Sequence, residues 1–144
     1  MTLHTATAWA LLASGLIFLL ALFLGVWKWF AMTGSPDGRA HPYVDVAHRS
    51  ALLYAFATQL IAVLVQFSGW SATVNGTAAT VIILLFVGTI GNYIRLAVQG
   101  GTDNQMHNPP RGHLFVLLTL ILGEIGGFAV LLAGFAKAQS SVLF

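Results

Sequence analysis

His48, Gln59 and Gln66 are separated by 11 and 18 residues, and an α-helix turning about 100° per residue sets all three polar side chains on nearly one line. Leu52, Ala55 and Ala62 fill the same stripe, which is expected to face inward and to leave room for a flat cofactor or a close helix neighbour. The plainer reading of the glutamines is that they tie helices together by hydrogen bonds. Gly88, Asn92, Arg95 and Gln99 fall on one face of a later helix, flanked by Thr89 and Tyr93. Arg95 there is either a binding group or a long side chain snorkelling to the interface. His113 and Glu124 are again 11 apart, which puts Glu124 about 16 Å along its helix and near mid-bilayer. An ionisable group at that depth is costly and is a functional candidate. Its plainer role is that of a protonated carboxyl bonded to a neighbouring helix. Beside it, Gly123-x-x-x-Gly127 would let a second helix approach closely.

The chain has five histidines and no cysteine. Disulfides, thiolate nucleophiles and cysteine-based zinc or iron–sulfur sites are therefore excluded. His4 is close to the N-terminus, and His41 and His107 sit in polar segments, where a solvated imidazole is the default. His48 differs, because it enters a helix on the stripe expected to face protein. No paired carboxylate accompanies it to build a zinc cage. One imidazole is nevertheless enough for haem, whose iron needs a single axial protein ligand and whose ring is held mainly by apolar packing.

The elements that must position these groups are membrane spans. Hydrophobic residues make up 58% of the 144-residue chain and charged residues 7%, far below the quarter or so of charged residues in a soluble domain. The formal charge of +2 comes from few groups, without the Lys and Arg cluster that neutralises phosphates, so a nucleic-acid partner is excluded. The expected fold is all-α: a single transmembrane domain over residues 1–144, with spans at about 7–32, 46–70, 77–98 and 112–137. The first apolar run lacks a basic leader segment and is read as a retained span. Trp27-Lys28-Trp29 would anchor it at the headgroups. Thr73-Val74-Asn75-Gly76 is read as the tight turn of a hairpin between the second and third spans. Lys28, Arg39, Arg49, Arg95 and Arg111 lie in or beside the 33–45 and 99–111 loops, and Lys137 alone flanks the other side. The positive-inside rule then places those loops in the cytoplasm and both termini outside, in a bacterial inner membrane.

Ala47-His48 at the head of the second span and Gly88-Thr89-Ile90-Gly91-Asn92-Tyr93 in the third, together with the four-span layout, resemble the small membrane isomerases that include styrene oxide isomerase and hydroxylaminobenzene mutase. The likeness covers roughly residues 33–136. It implies a homotrimer with ferric haem b held between subunits, and His48 as the axial ligand. Gly34-Ser35-Pro36-Asp37-Gly38-Arg39-Ala40-His41 is similar to the loop before that ligand, which leaves a register with His41 as the alternative; His48 is preferred because His41 precedes Pro42. Asn92 matches an asparagine of the family's third-helix motif, and Tyr93 stands beside it. The chain departs from the pattern at Tyr54-Ala55, where the family carries Asn-Gly, and Glu124 has no counterpart.

The function this implies is rearrangement of a small hydrophobic aromatic substrate, an aryl epoxide to an aldehyde or an arylhydroxylamine to an aminophenol. Tyr54, Asn92 and Tyr93 would be the catalytic groups, and His48, Gln59 and Arg95 would hold the cofactor. Ferric iron would act as a Lewis acid on the reacting oxygen, and the bilayer interior would shield a cationic intermediate from water. The rival reading is a non-catalytic haem-binding or electron-transfer membrane subunit, whose iron usually takes two protein ligands. A proton-coupled transporter using Glu124 and Arg95 is the third, made less attractive by four spans without a repeat.

Overall fold

A computed structural model describes residues 2–143, and every regular element among them is helical. The helices are α1 (Thr5–Thr33), α2 (Pro42–Gln66), α3 (Ala72–Gln99) and α4 (His113–Ala138), followed by a last helical turn, Ser140–Leu143. All four long helices are apolar enough and long enough to cross a bilayer. Their outward faces carry large exposed hydrophobics, among them Phe23, Phe56, Leu84, Phe115 and Leu122, as a lipid-facing surface should.

Local chemistry sets the helix ends. Pro42 occupies the first turn of α2, where its missing N–H costs nothing. His41 precedes it as N-cap, its Nδ1 accepting from the Tyr43 N–H at 3.2 Å. The second span therefore begins at Pro42 rather than near Val46, and His48 lies almost two turns inside it. α2 ends at Gln66, short of Trp70. Ser71 caps α3, its hydroxyl accepting from the Val74 N–H at 3.4 Å. Thr73, Val74, Asn75 and Gly76 thus belong to the first turns of α3, and the reversal is made by residues 67–71. Gly100 ends α3 in the left-handed region (φ 59°), a conformation that glycine adopts without the Cβ penalty. In the 34–41 loop Asp37 accepts from the Ser35 hydroxyl and the Arg39 N–H. The Ser35 hydrogen bond, before all else, holds its carboxyl below the usual carboxylate range.

Two buried clusters run along the unit. Nearer the 34–41 loop, Ile17, Ala21 and Leu24 of α1 meet Ala47, Ala51 and Ala55 of α2 and Ile90 of α3. The alanines let the backbones approach closely, and the Ser14 hydroxyl donates to the Ala55 carbonyl across the seam at 2.9 Å. At the opposite end, Ile61, Leu64 and Val65 pack with Ala79, Ile82, Phe86 and Leu131. Lys28 pairs with Asp45, clamping the end of α1 to the start of α2, and Arg49 pairs with the same carboxylate one turn along α2.

α4 joins this three-helix body along its second half. Gly123 and Gly127 do what their spacing predicts: a Cβ on Gly127 would come within 2.9 Å of Ile82 Cγ1, and one on Gly123 within 3.3 Å of Val81 Cγ1. Nearer the C-terminus, the Gly69 N–H donates to the Gly134 carbonyl at 2.9 Å and the Trp70 indole to the Val130 carbonyl at 2.8 Å. Lys137 lies over the Trp70 ring, 4.5 Å from its centre. The first half of α4, His113–Leu120, buries none of its residues. Between the halves, Ile121–Gly126 forms a π-helical turn that carries Glu124.

The 34–41 and 100–112 loops lie at the same end, where the Gln105 N–H of the second loop donates to the hydroxyl of Tyr43 in the first turn of α2 at 2.7 Å. Single cysteines at Thr102 and Ser140 are expected to react from opposite sides of the membrane, with Ser140 labelled from the periplasm by an impermeant maleimide. Labelling of position 102 from that side instead would invert the proposed orientation.

Candidate functional site

His48 is half-buried on the α1-facing flank of α2. Its Nδ1 lies 2.9 Å from the Ala21 carbonyl oxygen. A carbonyl can only accept, so Nδ1 carries the ring proton and Nε2 keeps its lone pair, the tautomer that metal-binding histidines adopt when a second partner orients them. The ring rests against Gly25, where a Cβ would stand 2.9 Å from Cε1. Sequence reasoning missed this seat, although Ala21 and Gly25 form a small-xxx-small pair that signals close approach. His41 differs: its Nδ1 accepts from the Tyr43 N–H, so its proton sits on Nε2 and no lone pair is free. Among the described residues no three His, Asp or Glu side chains gather as a metal cage. A lone histidine with a free nitrogen suits iron already held by a porphyrin, so the residues present fit haem.

The expected inward stripe divides. Gln66 binds the N-terminal segment, accepting from the His4 N–H at 3.1 Å and donating to the Thr2 carbonyl at 3.2 Å. Gln59 is exposed on the outer face of the unit. It therefore touches cofactor or protein only where something covers that face, since a lone amide toward lipid is costly.

On the other side of α2 a second group assembles. Tyr54 lies six residues from His48, hence about 120° around the helix, and stacks on Phe86 with ring centres 4.1 Å apart. Tyr93 stacks on Tyr43 at 6.0 Å. Asn92 donates to Gln105 Oε1 at 3.1 Å and accepts from Arg95 at 2.8 Å; Arg95 also reaches Gln99 at 3.3 Å. The polar wall read from the sequence exists, with Tyr43 and Gln105 as members the sequence did not reveal.

No protein-family model, curated protein or solved structure matches the chain.

The two halves of the candidate site thus diverge within one chain: His48 toward α1, and Tyr54, Asn92 and Tyr93 toward α3 and α4. Glu124 lies on the π-helical turn of α4, and its Oε1 is buried without a hydrogen-bond partner. A cavity of about 870 Å³ lies elsewhere, between the start of α1 and the start of α3, lined by Trp9, Ala10, Trp70, Asn75 and Ala79 among others. Asn75 Oδ1 is buried there without a hydrogen-bond partner. Neither His48 nor Glu124 lines it.

Proposed function

We propose that this chain is a membrane-embedded isomerase of small aromatic molecules, converting an aryl epoxide to an aldehyde or an arylhydroxylamine to an aminophenol, with haem b ligated by His48. The observation that carries the reading is the His48 imidazole, fixed through Nδ1 by a backbone carbonyl so that Nε2 is left free. Haem bound there supplies a Lewis-acidic iron able to draw electron density from a substrate oxygen.

The chain's own residues do the remaining work. The Ala21 carbonyl holds the imidazole in the ligating tautomer and fixes the ring's orientation. Asn92, Tyr93 and Tyr54 offer amide and phenol groups that orient a substrate oxygen or nitrogen, and the apolar walls keep water from a cationic centre. Because His48 and the Asn92–Tyr93 pair face different ways, one copy cannot bring them together, whereas a ring of copies can. Cyclic closure requires two different complementary faces on each subunit. The exposed edge with His48 and Gln59 is one, and the α3 face with Asn92 and Arg95 is the other. In such a homotrimer Gln59 and Arg95 would find polar partners at the cofactor's edge instead of lipid.

Protein purified in detergent after expression with ample haem is expected to show a Soret band and to turn over styrene oxide or phenylhydroxylamine without added reductant. Soret absorbance without either turnover would favour the electron-transfer reading; no Soret band would remove haem from the account.

A further inference from the structure

Small residues open a space where α1 and α3 run side by side at the end that holds the chain termini. Ala10, Ala13 and Ala79 line this cavity of about 870 Å³. Packed interiors hold few voids larger than a water molecule, and the volume is that of a ligand site, for which the range is about 300–1,000 Å³. Deeper in, the larger Ile17 and Ile90 belong to one buried cluster and close the seam. Along α3 the lining extends from Ala72 to Leu84, which at the usual rise is about 18 Å. Half of a hydrocarbon core is about 15 Å. The cavity is therefore a slot as long as one leaflet is thick.

Polarity changes along the slot as it does across a leaflet. At the outer end the lining carries His4, Thr5 and Ser68, and at the inner end Ala13, Ile83 and Leu84. His4 and Thr5 are exposed. The Ser68 hydroxyl accepts from the Trp70 N–H at 3.2 Å, which leaves its own proton to donate. Among the described residues no Lys, Arg, Asp or Glu lines the cavity; Lys137 lies over the Trp70 ring without lining it. The walls are held in place. The Trp70 indole donates to the Val130 carbonyl, and the Trp70 carbonyl accepts from the Asn75 amide at 3.3 Å. Gln66 ties down the N-terminal rim through the His4 N–H and the Thr2 carbonyl. The long side opens to the bilayer, where the lining residues Trp9 and Leu84 are 66% and 64% exposed. Ala79 stands 13 residues before Asn92 and 16 before Arg95, about 140–160° around α3 from both, and neither His48 nor Gln59 lines the slot. It is thus apart from the two faces that a ring of copies would use.

We propose that this slot binds a single-chain neutral amphiphile of the monoacylglycerol kind, its uncharged hydroxyl-bearing head among His4, Thr5 and Ser68 and its chain running inward past Ala13 to Ile83. The chain covers the alanine floor, and the head exchanges hydrogen bonds with the outer groups. A carboxylate or phosphate head would find no cation in the lining to offset its loss of water. The site depends on neither haem nor His48, so it stands or falls apart from the isomerase reading.

The test uses the full chain in phosphatidylcholine liposomes with a monomyristoylglycerol that carries a photoreactive diazirine near the end of its chain. Labelling, mapped by mass spectrometry, is expected to concentrate at Ala13 and Ile83 and to be suppressed by excess unlabelled monomyristoylglycerol. Myristate kept ionised in alkaline buffer should compete at least about tenfold less well, because its charge has no partner. Ala13→Phe should cut the labelling at Ile83 by about tenfold or more, since the ring takes the space of the chain, whereas Gly15→Ala, whose Cβ meets nothing within 4 Å, should leave it unchanged. Gln66→Leu, which frees the rim, should cost a few-fold. His48→Ala should label as wild type does. Wild-type labelling that excess unlabelled monomyristoylglycerol leaves in place, or that falls equally on lipid-facing Phe56 and Phe115, would overturn the proposal without any variant having to fold. Equal competition by myristate would remove the neutral head, and undiminished labelling in Ala13→Phe would remove the slot.

Discussion

His48→Ala is expected to purify with its four helices inserted and its Soret absorbance per protein reduced tenfold or more. Insertion depends on span hydrophobicity, which this change leaves intact. Haem retention does not, because the imidazole nitrogen proposed as the axial ligand is lost. Even the outer partners of metal-binding histidines carry about 10–100-fold in affinity, so losing the ligand itself should cost at least as much. Gly25→Ala is a milder version: its Cβ would stand 2.9 Å from His48 Cε1, pushing the ring off the Ala21 carbonyl and lowering occupancy in part. His41→Ala should keep its haem, since His41 Nδ1 is committed to the Tyr43 N–H. Loss of the Soret band in His41→Ala with retention in His48→Ala would transfer the ligand and sink the present assignment.

The second large effect concerns stability. In Gly134→Leu the new Cβ would fall 2.3 Å from both Ser68 Oγ and Trp70 Cδ1. The serine hydroxyl can rotate away, but the indole is held by its hydrogen bond to the Val130 carbonyl. The α2–α3 turn must therefore move off α4 and give up the Gly69–Gly134 bond as well. Overpacking of this kind costs about 1–3 kcal/mol, with about 1 kcal/mol more for each hydrogen bond lost. A lower thermal midpoint in detergent and faster proteolysis near residues 67–71 are expected. Gly15→Ala is the control, because a Cβ there meets nothing within 4 Å and should leave the midpoint unchanged. A Gly134→Leu protein as stable as that control would mean that the contact is not formed.

Hydropathy made the four spans legible, along with the placing of the two polar loops at one end and the close seat of Gly123 and Gly127. Hydropathy points to a start near Val46 for the second span, and α2 begins four residues earlier because proline is at home in a first helical turn. Asn75-Gly76 has the composition of a turn, but Ser71 captures the helix start first, and the Asn75 amide donates to the Trp70 carbonyl at 3.3 Å. The stripe of His48, Gln59 and Gln66 holds as an alignment and faces inward only in part: Ala55 and Ala62 are buried on it, whereas Gln59 is exposed. Periodicity fixes which residues share a side of a helix, and the neighbouring helices decide whether that side is covered. The π turn at Glu124 leaves no trace in hydrophobic spacing, since one residue more per turn is within the scatter of any apolar run.

A rod fixed along half its length is a lever. The free arm of α4, His113–Leu120, has eight residues, about 12 Å at the usual rise. A tilt of roughly 10° about its root would carry the tip about 2 Å, the width of an atom, while displacing the fulcrum hardly at all. The arm can therefore change its tilt at little cost to the seat of Gly123 and Gly127 on α3, and substitutions along it should alter how that end of the helix meets its surroundings while leaving the seat in place.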